Sequence, residues 1–537
     1  MLLRIYRREI GLIFLTAALS SLPFHFPDCH ALAFVCLVPL SACLAQCSSR
    51  REATIVGYLA GILTAAVTYS WLIYVTVSGY IAMTAYLGLF MAVFSFLAFE
   101  SIQVLARAGQ PRFAGGWIKV LTLSALWVLV EFLRSHMPVM KFPWALLAAS
   151  QWKNIVFIQS ADFWGSFGLS WVVSLINFCL FGLAALVWGW RKRRLVAAPA
   201  ILAVVMLAGM AGGVYWANEV YGRRALNEMA VQTADAPVMK VSLIQGNIPQ
   251  EKKWNEKIRH MILNKFVGLT RQVILDEPDL VVWPETSFPG FWDIEPEMTN
   301  LVRGLPRELD AQLLVGTPTF MEGDDALLRM NSALLLSERG EEIKRHHKLR
   351  LVPFGEYVPF MGFVRRFFDD IGHFSPGNRM TLFDFPSKSA AKGAYAVLIC
   401  FEDVFADLCR DFVRHGAGLL INITNDAWFM NSTGPYQHAQ NSVLRAVENR
   451  VWVIRCANTG LSCFIDPGGN IVESVKEQGQ EIMVTGFKTF GVRAADQWSY
   501  YTRHGDYILL ILLGIWIITH RLYSGRLEQT SSQEDLD

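Results

Sequence analysis

Three stretches hold residues whose types suit acyl chemistry. The first is Ala396-Val397-Leu398-Ile399-Cys400-Phe401-Glu402-Asp403, which reads as an apolar strand running into a cysteine, then an acidic turn, then a helix over Val404–Arg414. A thiol at a helix start gains from the helix dipole and from free backbone N–H groups, which favour the thiolate. The plainer reading is a buried structural cysteine, the commoner fate of that residue. The second stretch is Val281-Val282-Trp283-Pro284-Glu285, where proline halts a strand ladder just before a carboxylate. Its plain alternative is a solvated glutamate at a strand end. The third runs from His346-His347-Lys348-Leu349-Arg350 to Leu351-Val352-Pro353-Phe354-Gly355-Glu356, and its plain alternative is a solvated basic face. Taken together they suggest a Glu–Lys–Cys site. Glu285 takes the thiol proton as sulfur attacks a carbonyl. The Lys348 ammonium then holds the oxyanion, with the Phe401 N–H as second donor. Water or an amine would discharge the resulting thioester, so residue types alone leave hydrolase and transferase both open.

The chain that must position these residues has 537 of them, which implies more than one domain. It is 53% hydrophobic and 18% charged, against about 25% charged in ordinary soluble domains, so a membrane protein is expected. Apolar segments at about 9–25, 29–47, 54–77, 80–105, 117–134, 166–189, 196–217 and 506–520 read as about eight spans. A secretory signal is the weaker reading of the first, because further spans follow at once. Arg4, Arg7 and Arg8, then Arg50 and Arg51, then Arg107, Arg112 and Lys119, then Arg191 to Arg194 fall on one side if the spans alternate. That side, with both termini, is expected to be cytoplasmic, which puts the region between spans seven and eight outside. Between spans five and six, Glu131-Phe132-Leu133-Arg134 and Lys141-Phe142-Pro143-Trp144 read either as an interfacial anchor, with Trp144 and Trp152 in an aromatic belt, or as a lipid headgroup contact. The nine cysteines are odd in number and mostly in apolar segments, which argues against a disulfide framework. Cys456 and Cys463, in adjacent expected strands, read as small core residues. No cluster has zinc spacing, and no basic run interleaved with aromatics points to nucleic acid.

From Met239 the pattern changes to alternating strands and amphipathic helices. Strands are expected at Val241–Ile244, Leu280–Trp283, Gln312–Gly316, Ser332–Leu336, Val397–Cys400, Leu419–Ile423, Trp452–Cys456, Cys463–Asp466 and Asn470–Ser474. Helices are expected at Glu256–Leu275, Thr299–Leu309 and Pro435–Asn449. Apolar strand runs without alternation imply sheets covered on both faces, hence an α/β domain. The expected division is a seven-helix transmembrane region over 1–218, a linker over 219–238 and a catalytic domain over 239–493. A linker with the last span follows over 494–520, and a polar tail over 521–537.

The order Trp-Pro-Glu, then Lys before Leu-Val-Pro-Phe-Gly-Glu, then Cys-aromatic-Glu, then Asn425-Asp426-Ala427-Trp428-Phe429 resembles the nitrilase, or carbon–nitrogen hydrolase, superfamily. Four further pieces narrow it. Gln245-Gly246-Asn247-Ile248-Pro249-Gln250 followed by Lys253-Trp254, Gly434-Pro435-Tyr436-Gln437-His438, Arg445-Ala446-Val447-Glu448-Asn449-Arg450 and the membrane pieces around Glu131 and Trp144 are similar to the apolipoprotein N-acyltransferase family. The resemblance implies an α-β-β-α nitrilase-like sandwich joined to a transmembrane bundle in the inner membrane of a diderm bacterium, with the sandwich in the periplasm. It implies acyl transfer from a phospholipid to the α-amino group of the S-diacylglyceryl cysteine that begins an apolipoprotein, with no cofactor and as a monomer. It also implies Glu285 as base, Lys348 as oxyanion partner and Cys400 as nucleophile. Glu356, Phe401 and Glu402 support them, and Trp254, Trp428 and Glu448 are tied to substrate handling or to the domain's function. The chain departs from the family at Phe401, where tyrosine is usual; a hydroxyl is lost and the backbone donor is kept.

Two aromatic stretches, Phe288-Pro289-Gly290-Phe291-Trp292 and Phe360 to Phe368, suit a headgroup–acyl boundary, so Phe288, Phe291, Trp292 and Phe363 are expected to face lipid. The alternatives to acyl transfer are a membrane-anchored amidase or nitrilase-type hydrolase with the same three residues, and a transporter or scaffold with an inactive outer domain. An amidase needs only one anchor, and a transporter would show interrupted, charged spans.

Overall fold

Each apolar segment expected to cross a bilayer is helical, but not each is one long helix. The computed structural model describes residues 7–107, 116–138, 140–191, 197–233, 238–323, 327–353, 355–357, 374–495 and 497–534. Phe363 and the aromatic stretch around it lie outside the described residues. The chain divides into two compact units, one of Met1–Met137, Lys141–Ala225 and Asp506–Asp537, the other of Pro138–Met140 and Leu226–Gly505.

The first unit is all helical. Its main helices are Arg7–His25, Arg50–Thr68, Val77–Arg107, Trp117–His136, Ala161–Arg191, Ala197–Thr233, which runs on past the unit, and Ile508–Glu534. Residues 29–47, expected as one span, form a 3-10 stretch, Pro27–Phe34, and a short helix, Val38–Leu44. Gly165, at φ 71°, kinks the helix Ala161–Arg191 where the span was expected to begin, a conformation open to residues without a Cβ. By length and composition, three helical stretches among the described residues suffice to cross a membrane: Pro27–Leu44, Val77–Leu105 and Ala161–Val187. Glu9–His25 and Ile508–Arg521 are apolar but shorter. The expected count of about eight is therefore three by this measure. The charges explain part of the difference: Trp117–His136 carries Lys119, Glu131 and Arg134, and Arg50–Thr68 opens on Arg-Arg-Glu. Nor do Trp144 and Trp152 form an aromatic belt, since both are buried inside this unit. Arg134 Nη2 donates to the Trp144 carbonyl at 3.0 Å, and Glu131 Oε1 accepts from the Leu147 N–H at 2.8 Å.

The second unit holds two six-stranded sheets. Its strands are β1 Val238–Gln245, β2 Leu280–Val282, β3 Gln312–Glu322, β4 Leu327–Leu336, β5 Glu342–His347, β6 Leu382–Asp384, β7 Ala394–Ile399, β8 Ala417–Thr424, β9 Trp452–Ala457, β10 Cys463–Ile465, β11 Ile471–Ser474 and β12 Gly486–Arg493. One sheet has the order β12-β1-β2-β3-β4-β5, the other β11-β10-β9-β8-β7-β6. Each has a parallel trio, β1-β2-β3 or β7-β8-β9, with antiparallel strands outside it. Strand alternation sends Val241, Leu243, Leu280 and Val282 to one face, where they pack with Val397, Ile399, Ile421 and Ile454 of the other sheet. Val281, Trp283, Leu313 and Val315 point to the opposite face, onto the helices Arg259–Gln272 and Pro296–Leu309. Both faces of that sheet are thus apolar, which is why its strands read as unbroken hydrophobic runs. The helices Ala406–Arg414 and Gly434–Asn449 bury apolar residues on the second sheet's side. Cys456 and Cys463 are free and buried in adjacent strands.

Ile421 lies wholly buried between the sheets. Ile421→Ala should lower stability by about 2–5 kcal/mol, the usual cost of such a cavity; denaturant titration of the detergent-solubilised protein, followed by tryptophan fluorescence, measures it.

Candidate active site

The chemically capable residues gather where strands end. Glu285 lies three residues past β2, Lys348 directly after β5, Cys400 after β7 and Asn425 after β8. At the C-terminal ends of parallel strands the ladder stops, and side chains from different strands can converge.

Lys348 is 1% exposed, and an ammonium that deep needs anionic partners. It has two. Nζ lies 2.9 Å from Glu356 Oε2 and 3.6 Å from Glu285 Oε1. Burial opposes its charge, yet Glu356, Glu285 and Cys400 outweigh burial and hold its pKa above the ordinary lysine value. Asn331, inside β4, joins the two carboxylates, because its Nδ2 donates to Glu285 Oε1 at 2.8 Å and to Glu356 Oε1 at 2.9 Å. The other Glu285 oxygen accepts from the Asn425 N–H at 2.9 Å. Glu356 Oε2 accepts from the Val352 N–H at 2.9 Å. Glu285 is therefore oriented by one donor from each sheet. Its backbone is fixed too: a Cβ on Gly316 would lie 2.3 Å from the Pro284 carbonyl oxygen and 2.7 Å from Glu285 Cα.

Cys400 is half-buried and takes a φ of 56°. That left-handed conformation is uncommon for a residue with a side chain and stores strain. Asn247 and Thr286, at φ 50° and 46°, share it on neighbouring site segments. The helix expected over Val404–Arg414 is present from Ala406, and the cysteine lies more than a turn before it. A 3-10 turn covers Cys400–Val404, Phe405 is extended, and the α-helix starts at Ala406. The anticipated dipole-stabilised thiolate is accordingly not found. Burial, and next the Glu285 carboxylate, push the thiol well above its ordinary pKa, while Lys348 acts in the other direction. The sulfur rests as a neutral thiol, which needs a base at the moment of attack.

Glu402 clamps two strand ends together. Its Oε2 accepts from the Ile399 N–H at 2.7 Å, and its Oε1 accepts from the N–H groups of Leu349 and Arg350 at 2.7 and 3.0 Å. The residues flanking Cys400 and Lys348 thus share one carboxylate. Burial lifts Glu402 to about 7, against the pull of those N–H donors and of Lys348. Phe401 packs edge-on against Phe405, their ring centres 5.3 Å apart.

A fully buried ionic cluster lies behind this turn. His438 presents Nε2 to Asp403 Oδ1 at 2.9 Å and Nδ1 to Asp426 Oδ1 at 2.8 Å. Only the doubly protonated ring donates to both carboxylates. Arg455 Nη1 donates to Asp403 Oδ2 at 2.6 Å, and Nη2 reaches Asp426 Oδ2 at 3.4 Å; Ser442 also donates to Asp403. Burial lowers the His438 pKa, but the two aspartates prevail and raise it to about 9. His438 and Arg455 against Asp403 and Asp426 makes two charges of each sign. The cluster ties the turn after Cys400 to the segment whose Asn425 holds Glu285.

Other expected site residues fall elsewhere. Phe288 and Trp292 are core residues in edge contact at 5.2 Å and do not face lipid; nearby helix residues fill the space that lipid would take. Phe291 is half-buried and stacks on Phe320 at 4.7 Å. Glu448 is buried and paired with Arg445 at 2.8 Å, a structural contact within one helix. His346 and His347 belong to β5 and not to a solvated run; burial holds His346 neutral, down to about 3. Trp254 and Trp428 remain 50% and 47% exposed, beside Lys253 and near Asn425 in the chain. Sequence reasoning missed Asn331. Its signal was an amide inside an otherwise apolar strand, Met330-Asn331-Ser332-Ala333-Leu334. Among the described residues, no group of three or more His, Cys, Asp or Glu side chains is placed to hold a metal ion.

Residues 240–495 match the family model described as carbon-nitrogen hydrolase, and residues 16–179 match that of the apolipoprotein N-acyltransferase N-terminal domain. The chain is 36% identical over 509 residues to the apolipoprotein N-acyltransferase of Geobacter metallireducens, across 93% of this chain and 92% of the relative. It is 29% identical over 478 residues to that of Rhodopseudomonas palustris, across 86% and 81%. Among solved structures, an amidase from Nesterenkonia sp. aligns over 51% of this chain and 96% of its own, at 17% identity and a TM-score of 0.38.

Gly316→Ala should displace Glu285 and slow alkylation of Cys400 by iodoacetamide on the order of 10²-fold, the lower range for a positioned base; intact mass against time reads this. The folded pKa of His438 lies above the unfolded value of 6.5, at about 9. Its stabilisation is thus complete below about pH 6.5 and lost as pH rises toward 9, a change of about 3 kcal/mol. Unfolding midpoints of the wild type should fall across that window, whereas His438→Gln should be less stable throughout and lack the fall.

Proposed function

Because the chain belongs to the apolipoprotein N-acyltransferase family, we propose that Cys400 carries an acyl chain as a thioester between a phospholipid donor and the α-amino group of a diacylglyceryl-cysteine acceptor. The enzyme is an acyltransferase of lipoprotein maturation. The observation that supports these residue roles most directly is the buried Lys348 ammonium set between Glu285 and Glu356.

In this reading Glu285 takes the Cys400 proton as sulfur bonds to the ester carbonyl carbon. Lys348 and the Phe401 N–H receive the oxyanion. When the tetrahedral intermediate collapses, the ester C–O bond breaks and Glu285 returns the proton to the departing alkoxide. The acceptor amine then attacks the thioester, Glu285 takes the amine's proton, and the thiol is regenerated. Glu356 keeps Lys348 charged and aimed, and Glu402 holds the two strand ends in register. The backbone donor survives at Phe401, so the missing tyrosine hydroxyl has no part in these steps. Trp254 and Trp428, exposed beside site residues, are the substrate contacts we favour.

We take the membrane region to be multi-pass, with both termini cytoplasmic and the catalytic domain over 239–493 periplasmic, and the enzyme to act as a monomer. The distribution of basic residues supports that orientation. A plain hydrolase with the same three residues is not favoured, because the match to the N-terminal domain of this family and the similarity over 93% of the chain both extend through the helical region.

Intact mass after incubation with phospholipid should show an acyl adduct that disappears in Cys400→Ser. A lipopeptide amine should discharge it much faster than water does. Discharge by water at the same rate as by amine would instead establish a hydrolase.

A further inference from the structure

Lys253 is a second deeply buried lysine at this site, but its surroundings differ from those of Lys348. It is 3% exposed, and its Nζ donates to the main-chain carbonyl of Glu285 at 3.0 Å. That is its only side-chain hydrogen bond among the described residues, and no carboxylate there forms an ion pair with it. An ammonium has three donors, so two are left without an acceptor in a place nearly closed to water. The segment that carries it is built into the site. Lys253 caps the 3-10 turn Gln250–Lys252, and Gln250 Oε1 accepts from Asn425 Nδ2 at 2.8 Å. Asn425 is the residue whose N–H holds Glu285 Oε2. The titratable groups that face Lys253 are Glu285, beyond the end of β2, and Cys400, at the end of β7; its chain neighbours Lys252 and Trp254 are exposed.

A neutral donor would hold the Glu285 carbonyl equally well. An unpaired buried charge is destabilising, and such a residue belongs where the charge itself is used. We propose that Lys253 is a second cationic positioning residue of the reaction centre, which holds Glu285 through its main chain and offsets the negative charge that moves between Glu285, the Cys400 sulfur and the reacting carbonyl oxygen. This rests on the acyl-transfer reading above. As sulfur attacks, the thiol proton passes to Glu285 and the negative charge passes from that carboxylate to the carbonyl oxygen. Lys253 keeps its own proton throughout, so its charge stabilises each stage without taking part in a bond change. Burial brings Lys253 down to about 8, opposed by the charges of Glu285 and Cys400, so the cation persists at neutral pH and is lost in mild alkali.

The test compares full-length, detergent-solubilised wild type, Lys253→Met and Lys253→Arg. Intact mass follows the rate of Cys400 acylation by phospholipid and of its alkylation by iodoacetamide from pH 6 to 10, and unfolding midpoints are measured in parallel. At pH 7, Lys253→Met should slow both reactions at least tenfold while its midpoint is equal to or higher than that of the wild type. Lys253→Arg should be faster than Lys253→Met and should keep its rate above pH 8, where the wild type loses rate. Rates of Lys253→Met within twofold of wild type would overturn the proposal. So would a midpoint that falls in step with reactivity in both variants, since that is the mark of a structural residue. Alkylation of wild-type Cys400 without any acylation would sink the acyl-transfer reading instead, and leave the Lys253 comparison standing on its alkylation arm.

Discussion

The catalytic unit depends on keeping an ammonium ion out of water. A lysine as buried as Lys348 is stable only with opposite charge in contact. Two carboxylates, Glu285 and Glu356, must therefore be brought within reach from different parts of the chain. Carboxylates that close would repel one another, and the Asn331 amide between them supplies a donor to each. The remaining oxygens are met by backbone N–H groups of Asn425 and Val352. One buried charge thus dictates the placement of five other residues, and the geometry that satisfies it also places a carboxylate near the thiol.

Around this centre the fold accepts unfavourable local choices and compensates for them nearby. Cys400 takes a left-handed backbone, and the Glu402 clamp and the cluster of Asp403, His438, Asp426 and Arg455 hold the turn in that state. The cluster is neutral in sum and fully hydrogen-bonded at the imidazole, which is what makes burial of four charges tolerable. It connects the Cys400 turn to the segment that orients Glu285, so the two cannot shift independently.

Much of this was legible in the sequence, and the omissions have physical causes. The central strands were readable because sheets covered on both faces leave long apolar runs. Three strands were not anticipated: β5, β6 and β12. All three lie at sheet edges, where polar residues are normal; β5, Glu-Ile-Lys-Arg-His-His, reads as a charged loop. Glu285, Lys348 and Cys400 stood out because each ends a run of another character. Asn331 did not, because its meaning lies in what faces it across the sheet. The aromatic stretch at Phe288–Trp292 misled for a similar reason: aromatic composition is the same whether rings meet lipid or a protein core. The left-handed backbone at Cys400 has no signature in the residues at all.

The strand-end origin of the site has a consequence for how the chain matures. Glu285 follows a strand of one sheet and Cys400 a strand of the other, and the Asn425–Glu285 contact bridges 140 residues. Such non-local contacts form late, once the entropy of closing long loops has been met. A half-folded chain holds its thiol without the Glu285 carboxylate, the Lys348 ammonium or the strained turn. The assembled constellation is therefore a property of the closed sandwich, and a newly made chain lacks it until both sheets have met.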